Sequence, residues 1–506
     1  MPSPDLVAGP ESDSSAKARA LRSGIANKLI SSIVEEEDRL PKRPLQWLFL
    51  MVVAAVVGAL AGLVGGAFRI SLGWAGKARD YVVMFSHSHI PASVGWLVPT
   101  VLCAAGAGLG VWLTQRFAPQ GAGSGIPRIE AVIRSHLHPA GILVLPIKFI
   151  GGVFSIGSGL ALGREGPTVQ MGGTLGRLTS DSLKRYIPQP WTLTAAGAGA
   201  GLAVAFNAPL AATLFVVEEL LHRFSARVFS ATLVACIAGT IVLRAMIGNT
   251  PEFGTPRLGA LPAAVLPEYL ILGLLAGLLG VAFNISLMAS MRLFDHAHGW
   301  PRGTKGAVVG GAAGLLAWFV PGAVGGGENL AQLAITGHFA WSVVLGLLLV
   351  RLVLTMGSYG CGAPGGIFAP LLALGALLGC GCAIGREHLL HVGTDSAAFA
   401  IVAMAAVFTA IVRSPLTGVV LILEMTGDWT LILPMMAASV TAYAIPELLG
   451  NPPIYDTLRE RDEAMEKRHG QPGLSANKTR ETPTQEPLPA GSGPCLPEND
   501  QNRYAK

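Results

Sequence analysis

Three short segments of this chain interrupt apolar sequence with glycine and proline at matching positions. They are Gly123-Ser124-Gly125-Ile126-Pro127, Gly163-Arg164-Glu165-Gly166-Pro167 and Gly366-Ile367-Phe368-Ala369-Pro370. Glycine lets the backbone turn tightly or come close to a ligand, and proline suits the first turn of a following helix, where its missing N–H costs nothing. Each segment therefore predicts the start of a helix. A helix N-terminus presents unpaired N–H groups and a partial positive charge, so converging termini make an anion site without a lysine or arginine. Dipoles and hydroxyls bind with the moderate strength that permits release. Glu165 adds a carboxylate to one of these termini. Ionised, it can occupy the place of the anion; protonated, it loses that attraction and can swing away.

The elements that carry these motifs belong in a membrane. Of 506 residues, 51% are hydrophobic and 13% charged, too apolar for a soluble protein of this size. Apolar stretches recur between Trp47 and Leu449. Several approach the roughly 20 residues that cross a bilayer, among them Trp47 to Phe68, Leu97 to Phe117, Tyr269 to Leu287 and Trp341 to Met356. Irregular backbone at that depth is tolerated only where it is buried in protein or lines an aqueous cavity. Both ends of the chain are polar, and the N-terminal one lacks the pattern of a cleaved signal. Lys42 and Arg43, with Arg19 and Arg22 further back, place it on the cytoplasmic side through the positive-inside bias. The net charge of +5 is scattered rather than gathered in an aromatic-interleaved patch, so nucleic acid is not an expected partner. Cys380 and Cys382, like the isolated Cys103, Cys236, Cys361 and Cys495, read as packing residues and not as metal ligands or disulfides.

The sequence repeats itself. Gly163-x3-Pro167-x4-Gly172-x3-Gly176 has the spacing of Gly366-x3-Pro370-x4-Gly375-x3-Gly379, 203 residues on. Further along, Pro209 to Glu218 matches Pro415 to Glu424 at an offset of 206. Basic residues His222, Arg223 and Arg227 follow the first acid, whereas Asp428 follows the second and no Lys or Arg occurs until Arg459. The copies thus end on opposite faces, the first cytoplasmic and the second outer, and the repeat is inverted. Such repeats place a binding site near the midplane, built from interrupted helices aimed at an anion.

The three motifs, in this order and in a two-fold repeated chain, resemble the CLC family of chloride channels and chloride/proton antiporters over about residues 46–458. The resemblance implies an all-α polytopic membrane protein, a CLC-type inverted repeat with broken and tilted helices, and a homodimer with a separate pore in each subunit. Carried over residue by residue, it implies chloride bound by the Ser124 hydroxyl, the N–H groups of Ile367 and Phe368, and the hydroxyl of Tyr455 in Asn451-Pro-Pro-Ile-Tyr455. The three motifs are then the selectivity filter and Glu165 the gate. Ser124 stands where nitrate-favouring members carry proline, which implies a chloride preference. Glu219, after Phe206-Asn-Ala-Pro-Leu and the paired glutamates, matches the internal proton-transfer glutamate of the antiporters, where channels generally lack an acid. The bland alternative is an i,i+4 pair of Glu219 with Arg223.

Other intramembrane charges are costly and need partners. Lys148 is expected to pair with Glu130 as a structural ion pair, and Glu424, the mate of Glu218, is expected to be structural. Arg351 has no partner legible in the sequence. His87/His89, His136/His138 and His296/His298 fall in predicted loops without the acids or cysteines that would complete a metal site. Gly385-Arg386-Glu387-His388 imitates a filter motif but lacks its second glycine and proline.

The expected division is a polar cytoplasmic tail at 1–45, a first membrane repeat at 46–248, a connection at 249–265, a second repeat at 266–449, a C-terminal helix carrying Tyr455 at 450–465, and a disordered polar cytoplasmic tail at 466–506. That tail is too short for paired CBS domains, which points to a prokaryotic type. The expected activity is proton-coupled chloride antiport in the inner (plasma) membrane, both termini cytoplasmic and no cofactor, with a passive voltage-gated chloride channel as the alternative. No H-E-x-x-H, P-loop or G-x-S-x-G motif supports a membrane enzyme.

Overall fold

The computed structural model describes residues 44–468 apart from 188, 257–262, 298, 338 and 392–394. The expected polar tails lie almost wholly outside the described residues, as do His298 and Cys495. Regular structure among the described residues is helical, with two isolated β-bridges. The longer helices, in chain order, are α1 Pro44–His89, α2 Leu97–Phe117, α3 Ile126–Ile133, α4 Val144–Gly157, α5 Glu165–Ser182, α6 Pro190–Phe206, α7 Pro209–Phe215 and α8 Ala226–Ile247. There follow α9 Leu266–His296, α10 Thr304–Phe319, α11 Glu328–Thr336, α12 Trp341–Gly360, α13 Phe368–Leu390, α14 Ser396–Val412, α15 Pro415–Thr426, α16 Ile432–Leu448 and α17 Ile454–Arg468. Among the described residues, 7 helices are long and apolar enough to cross a membrane, while α4, α6, α14 and α15 are shorter apolar helices. One compact unit extends to Asp462; of the remainder, only the end of α17 is described.

The order α1–α8 is repeated by α9–α16, down to the single 3₁₀ turns at Pro119–Gly121 and Pro321–Ala323 that precede α3 and α11. The repeated glycines have a packing reason. A Cβ on Gly375 would meet Met404 Cα at 2.7 Å, so the backbones of α13 and α14 approach directly. Gly172 and Gly176 play the same part for α5 against α6.

Two features express a two-fold relation between the copies. Gly163 N–H donates to Gly366 O at 2.8 Å and Gly366 N–H donates back to Gly163 O at 2.8 Å, an antiparallel pair made by repeat mates. The second feature is reciprocal capping. Glu218 accepts from the N–H groups of Leu416 (3.1 Å) and Thr417 (2.7 Å) at the start of α15. Its mate Glu424 accepts from Leu210 (3.1 Å) and Ala211 (2.7 Å) at the start of α7. A carboxylate at a helix N-terminus satisfies orphan donors and complements the dipole. Both glutamates are therefore structural, and each serves the opposite repeat.

The repeats differ after α7. There the chain continues as a π turn, Val216–Leu221, where α15 runs on as regular α-helix to Thr426. π turns often mark functional positions in a helix, and this one carries Glu219.

Candidate functional site

Backbone bonds tie the three interruptions together. Beside the Gly163–Gly366 pair, Gly365 N–H donates to Gly123 O at 3.1 Å. As the spacing predicts, α3, α5 and α13 start inside the three motifs, at Ile126, Glu165 and Phe368. The motifs need glycine for two distinct reasons. Gly125, the residue before α3, has φ +85°, and a Cβ on Gly166 would lie 2.7 Å from Ser124 Oγ.

The side chains named from the sequence meet at this junction. Glu165 is buried, and its Oε1 accepts the N–H of Phe368 at 2.6 Å. Its Oε2 makes no hydrogen bond of good geometry. The Ser124 and Tyr455 hydroxyls face each other, and neither has a well-formed protein hydrogen bond. Three buried oxygens without settled partners thus stand at this junction, two of them hydroxyls able to donate to an anion. The ring of Phe368 forms the apolar wall, its centroid 4.7 Å from Phe408, 5.6 Å from Phe215 and 5.7 Å from Tyr455.

Tyr455 reaches this point because α17 is anchored. Arg459 pairs with Asp456 at 2.6 Å and with Glu130 at 3.1 Å, and Glu130 also pairs with Arg134 at 3.0 Å. Glu130 is therefore not the partner of Lys148. The Lys148 ammonium instead donates to the carbonyls of Gly121 (2.8 Å) and Gly123 (2.6 Å), fixing the backbone immediately before Ser124. Arg351 does the same in the second repeat, donating to Ala323 O (3.1 Å), Gly325 O (2.7 Å) and Gly326 O (2.7 Å) before α11. The two cations stand 203 positions apart, the offset of the repeated glycine–proline motifs, and that signal could have assigned Arg351 from the sequence. Each stabilises carbonyls that a tight turn leaves without helical partners.

Glu219 lies within electrostatic reach of Asp456 on α17. It is buried, and its Oε2 accepts from Ser414 Oγ at 2.5 Å, so its bond runs to the second repeat and not along its own helix to Arg223. Sequence reasoning missed Ser414, as well as Tyr359, whose hydroxyl accepts the Ser124 N–H at 3.4 Å. At the opposite end of the junction, Arg164 donates to Ala205 O at 2.8 Å and pairs with Glu252, which also binds Arg69 at 2.7 Å. Burial by itself would raise the Glu252 carboxyl, but Arg164 and Arg69 outweigh it and hold the group below its ordinary value.

His87 and His89 lie within α1 instead of a loop; His87 stacks on Trp318 with ring centroids 3.5 Å apart, and His89 stacks on Phe85 at 4.3 Å. Among the described residues no group of three or more His, Cys, Asp or Glu is placed to hold a metal ion. The Gly385–His388 segment is regular helix inside α13, where Arg386 pairs with Glu268 at 2.7 Å.

The profile of voltage-gated chloride channels matches residues 103–447, which include all three interruptions. The chain belongs to the CLC family. Curated CLC relatives include the H(+)/Cl(-) exchange transporter ClcA of Klebsiella pneumoniae strain 342, 40% identical over 85% of this chain and 92% of the relative. The transporter of the same name from Salmonella typhimurium is 39% identical over 88% and 95%. Among solved CLC structures, a slow cyanobacterial Cl-/H+ antiporter superposes with a TM-score of 0.78 at 34% identity, covering 83% of this chain and 99% of the other. A CLC-type fluoride/proton antiporter, at 23% identity and a TM-score of 0.67, shares the fold. The protein is a multi-pass membrane protein with the CLC inverted-repeat architecture.

Proposed function

We propose that this protein exchanges chloride for protons, moving the two ions in opposite directions across the membrane. The observation that carries the reading is the 2.6 Å bond from Phe368 N–H to Glu165 Oε1. The same N–H is the donor that family resemblance assigns to chloride, so the ionised carboxylate and the halide exclude each other. Chloride is held by the Ser124 and Tyr455 hydroxyls and the N–H groups of Ile367 and Phe368. Displacing the Glu165 carboxylate opens the path, and protonation stabilises the displaced form. Glu219, buried against Ser414, receives the proton on the cytoplasmic side. The names of the relatives agree with exchange.

The protein works in the lipid bilayer of the inner membrane as a homodimer with one pore per subunit, and both termini are cytoplasmic. Positive-inside bias supports that orientation, with Arg134, His222 and Arg459 on the cytoplasmic face. The process is transport without covalent chemistry or a cofactor. Reconstituted vesicles with an imposed chloride gradient test it. Exchange drives protons uphill against that gradient; chloride flux with no proton movement makes the protein a passive channel of the same fold.

A further inference from the structure

The residue before α11 is Gly327, with φ +106°, as the residue before α3 is Gly125 with φ +85°. Arg351 braces the carbonyls ahead of the second turn as Lys148 braces those ahead of the first. The first helical residue differs in kind: α3 begins with Ile126, α11 with Glu328. The second repeat thus carries a carboxylate at the outer helix terminus that mirrors the inner chloride-binding one.

Glu328 does not point idly into solvent. Its Oε1 is 3.6 Å from Arg164 Nη1, and its side chain is 28% exposed, so water reaches it while it touches the cation. Arg164 immediately precedes Glu165 and keeps its bonds to Ala205 O and Glu252 independently of Glu328. The charged groups around Glu328 are Arg164 and Glu165 at the start of α5, Arg69 on α1, Glu252 in the connection and Arg351 on α12. Arg79 of α1 approaches the same glycine turn beside Gly325. Glu252 bridges Arg69 and Arg164, so of the two carboxylates on Arg164 it is the more enclosed; Glu328 is the one open to a proton from outside.

We infer that Glu328 controls chloride entry from the outer side by acting through Arg164. Ionised, it neutralises the cation above the gate and repels an arriving halide. Protonated, it releases Arg164 to draw the anion towards Glu165. Acid outside therefore raises chloride affinity at the outer mouth while it also protonates the gate. Glu328 is a positioning residue, not a ligand, and its role rests on the exchange reading and on the orientation given above.

The test measures the outside chloride concentration that half-saturates uptake into vesicles, at neutral and at acidic outside pH. The full chain is used, both unaltered and with Glu165→Ala, which removes titration of the gate itself. In the Glu165→Ala background, acidification should lower the half-saturating concentration about three- to tenfold, the effect of one unit charge removed at about 4 Å where water screens the pair. Adding Glu328→Gln should hold that concentration at the low value at both pH values, whereas Glu328→Asp should restore the dependence. The inference is overturned if the dependence survives Glu328→Gln, or if Gln and Asp abolish it alike. If the double variants do not reach the membrane, Glu165→Gln, which carries no titrating carboxylate either, takes the place of Glu165→Ala. A native chain that moves no chloride sinks the exchange reading itself, which is a separate outcome.

Discussion

Glu165 takes the Phe368 N–H, and if a halide competes for that donor, as proposed above, the consequences sit on single side chains. Glu165→Ala should abolish proton coupling while chloride flux persists, read as chloride uptake with no uphill proton movement in vesicles. Glu219→Gln keeps the shape of the side chain and its neighbour Ser414 but cannot carry the proton. It should lose proton transport with chloride flux retained; intact exchange would move proton entry to another residue, Glu218 first. At this scale the sequence was informative where a residue sat in a motif. Glu165, Ser124, Ile367 and Phe368 all stand, buried, at the junction of their motifs. Lys148 was misread because a lone cation in apolar sequence suggests a carboxylate partner, whereas the turn before Ser124 supplies carbonyls that only three-dimensional structure brings within reach. Glu130 was already taken by Arg134 and Arg459.

Helix termini organise the next scale. The starts of α3, α5 and α13 were readable because glycine and proline mark them chemically. The π turn at Val216–Leu221 was not, since residues in it are ordinary helix formers and its register is set by packing. The crossed caps depend on long-range contacts, so only their glutamates were visible beforehand. Replacing Glu218 or Glu424 by Ala leaves the N–H groups at the far helix without their carboxylate. Each should cost about 1 kcal/mol, measured as reduced resistance to thermal unfolding in detergent. Lys148→Met should cost about 1–3 kcal/mol by leaving the Gly121 carbonyl unpaired and the Gly123 carbonyl with Gly365 N–H alone. It should also slow chloride flux, because the backbone it fixes leads directly into Ser124; unchanged flux would separate the brace from the site.

Across the molecule, Glu252 fastens the connection between repeats to Arg69 of α1 and to Arg164, just before α5. Its folded-state pKa is depressed by the two arginines. The stability it contributes is therefore full above the ordinary carboxylate range, near pH ~4.3, and is lost as pH falls through the lowered folded value. Glu252→Gln should lower stability at neutral pH and flatten its decline in acid, seen by comparing unfolding midpoints across that window. The inverted repeat itself could be read from spacing and flanking charge, because a two-fold design writes its period into the sequence. What the period could not convey was which groups from opposite halves touch.

That crossing of Glu218 and Glu424 bears on how the protein can be divided. Neither half holds the carboxylate that finishes its own α7 or α15; each makes the other's. If the two repeats are expressed as separate polypeptides, they should behave as obligate complements and reassemble into an active transporter only when both are present. A polypeptide of the first repeat with Glu218→Ala should complement less well, because it arrives without the group its partner lacks. Recovery of chloride flux from co-expressed halves, compared with either alone, reads this out directly.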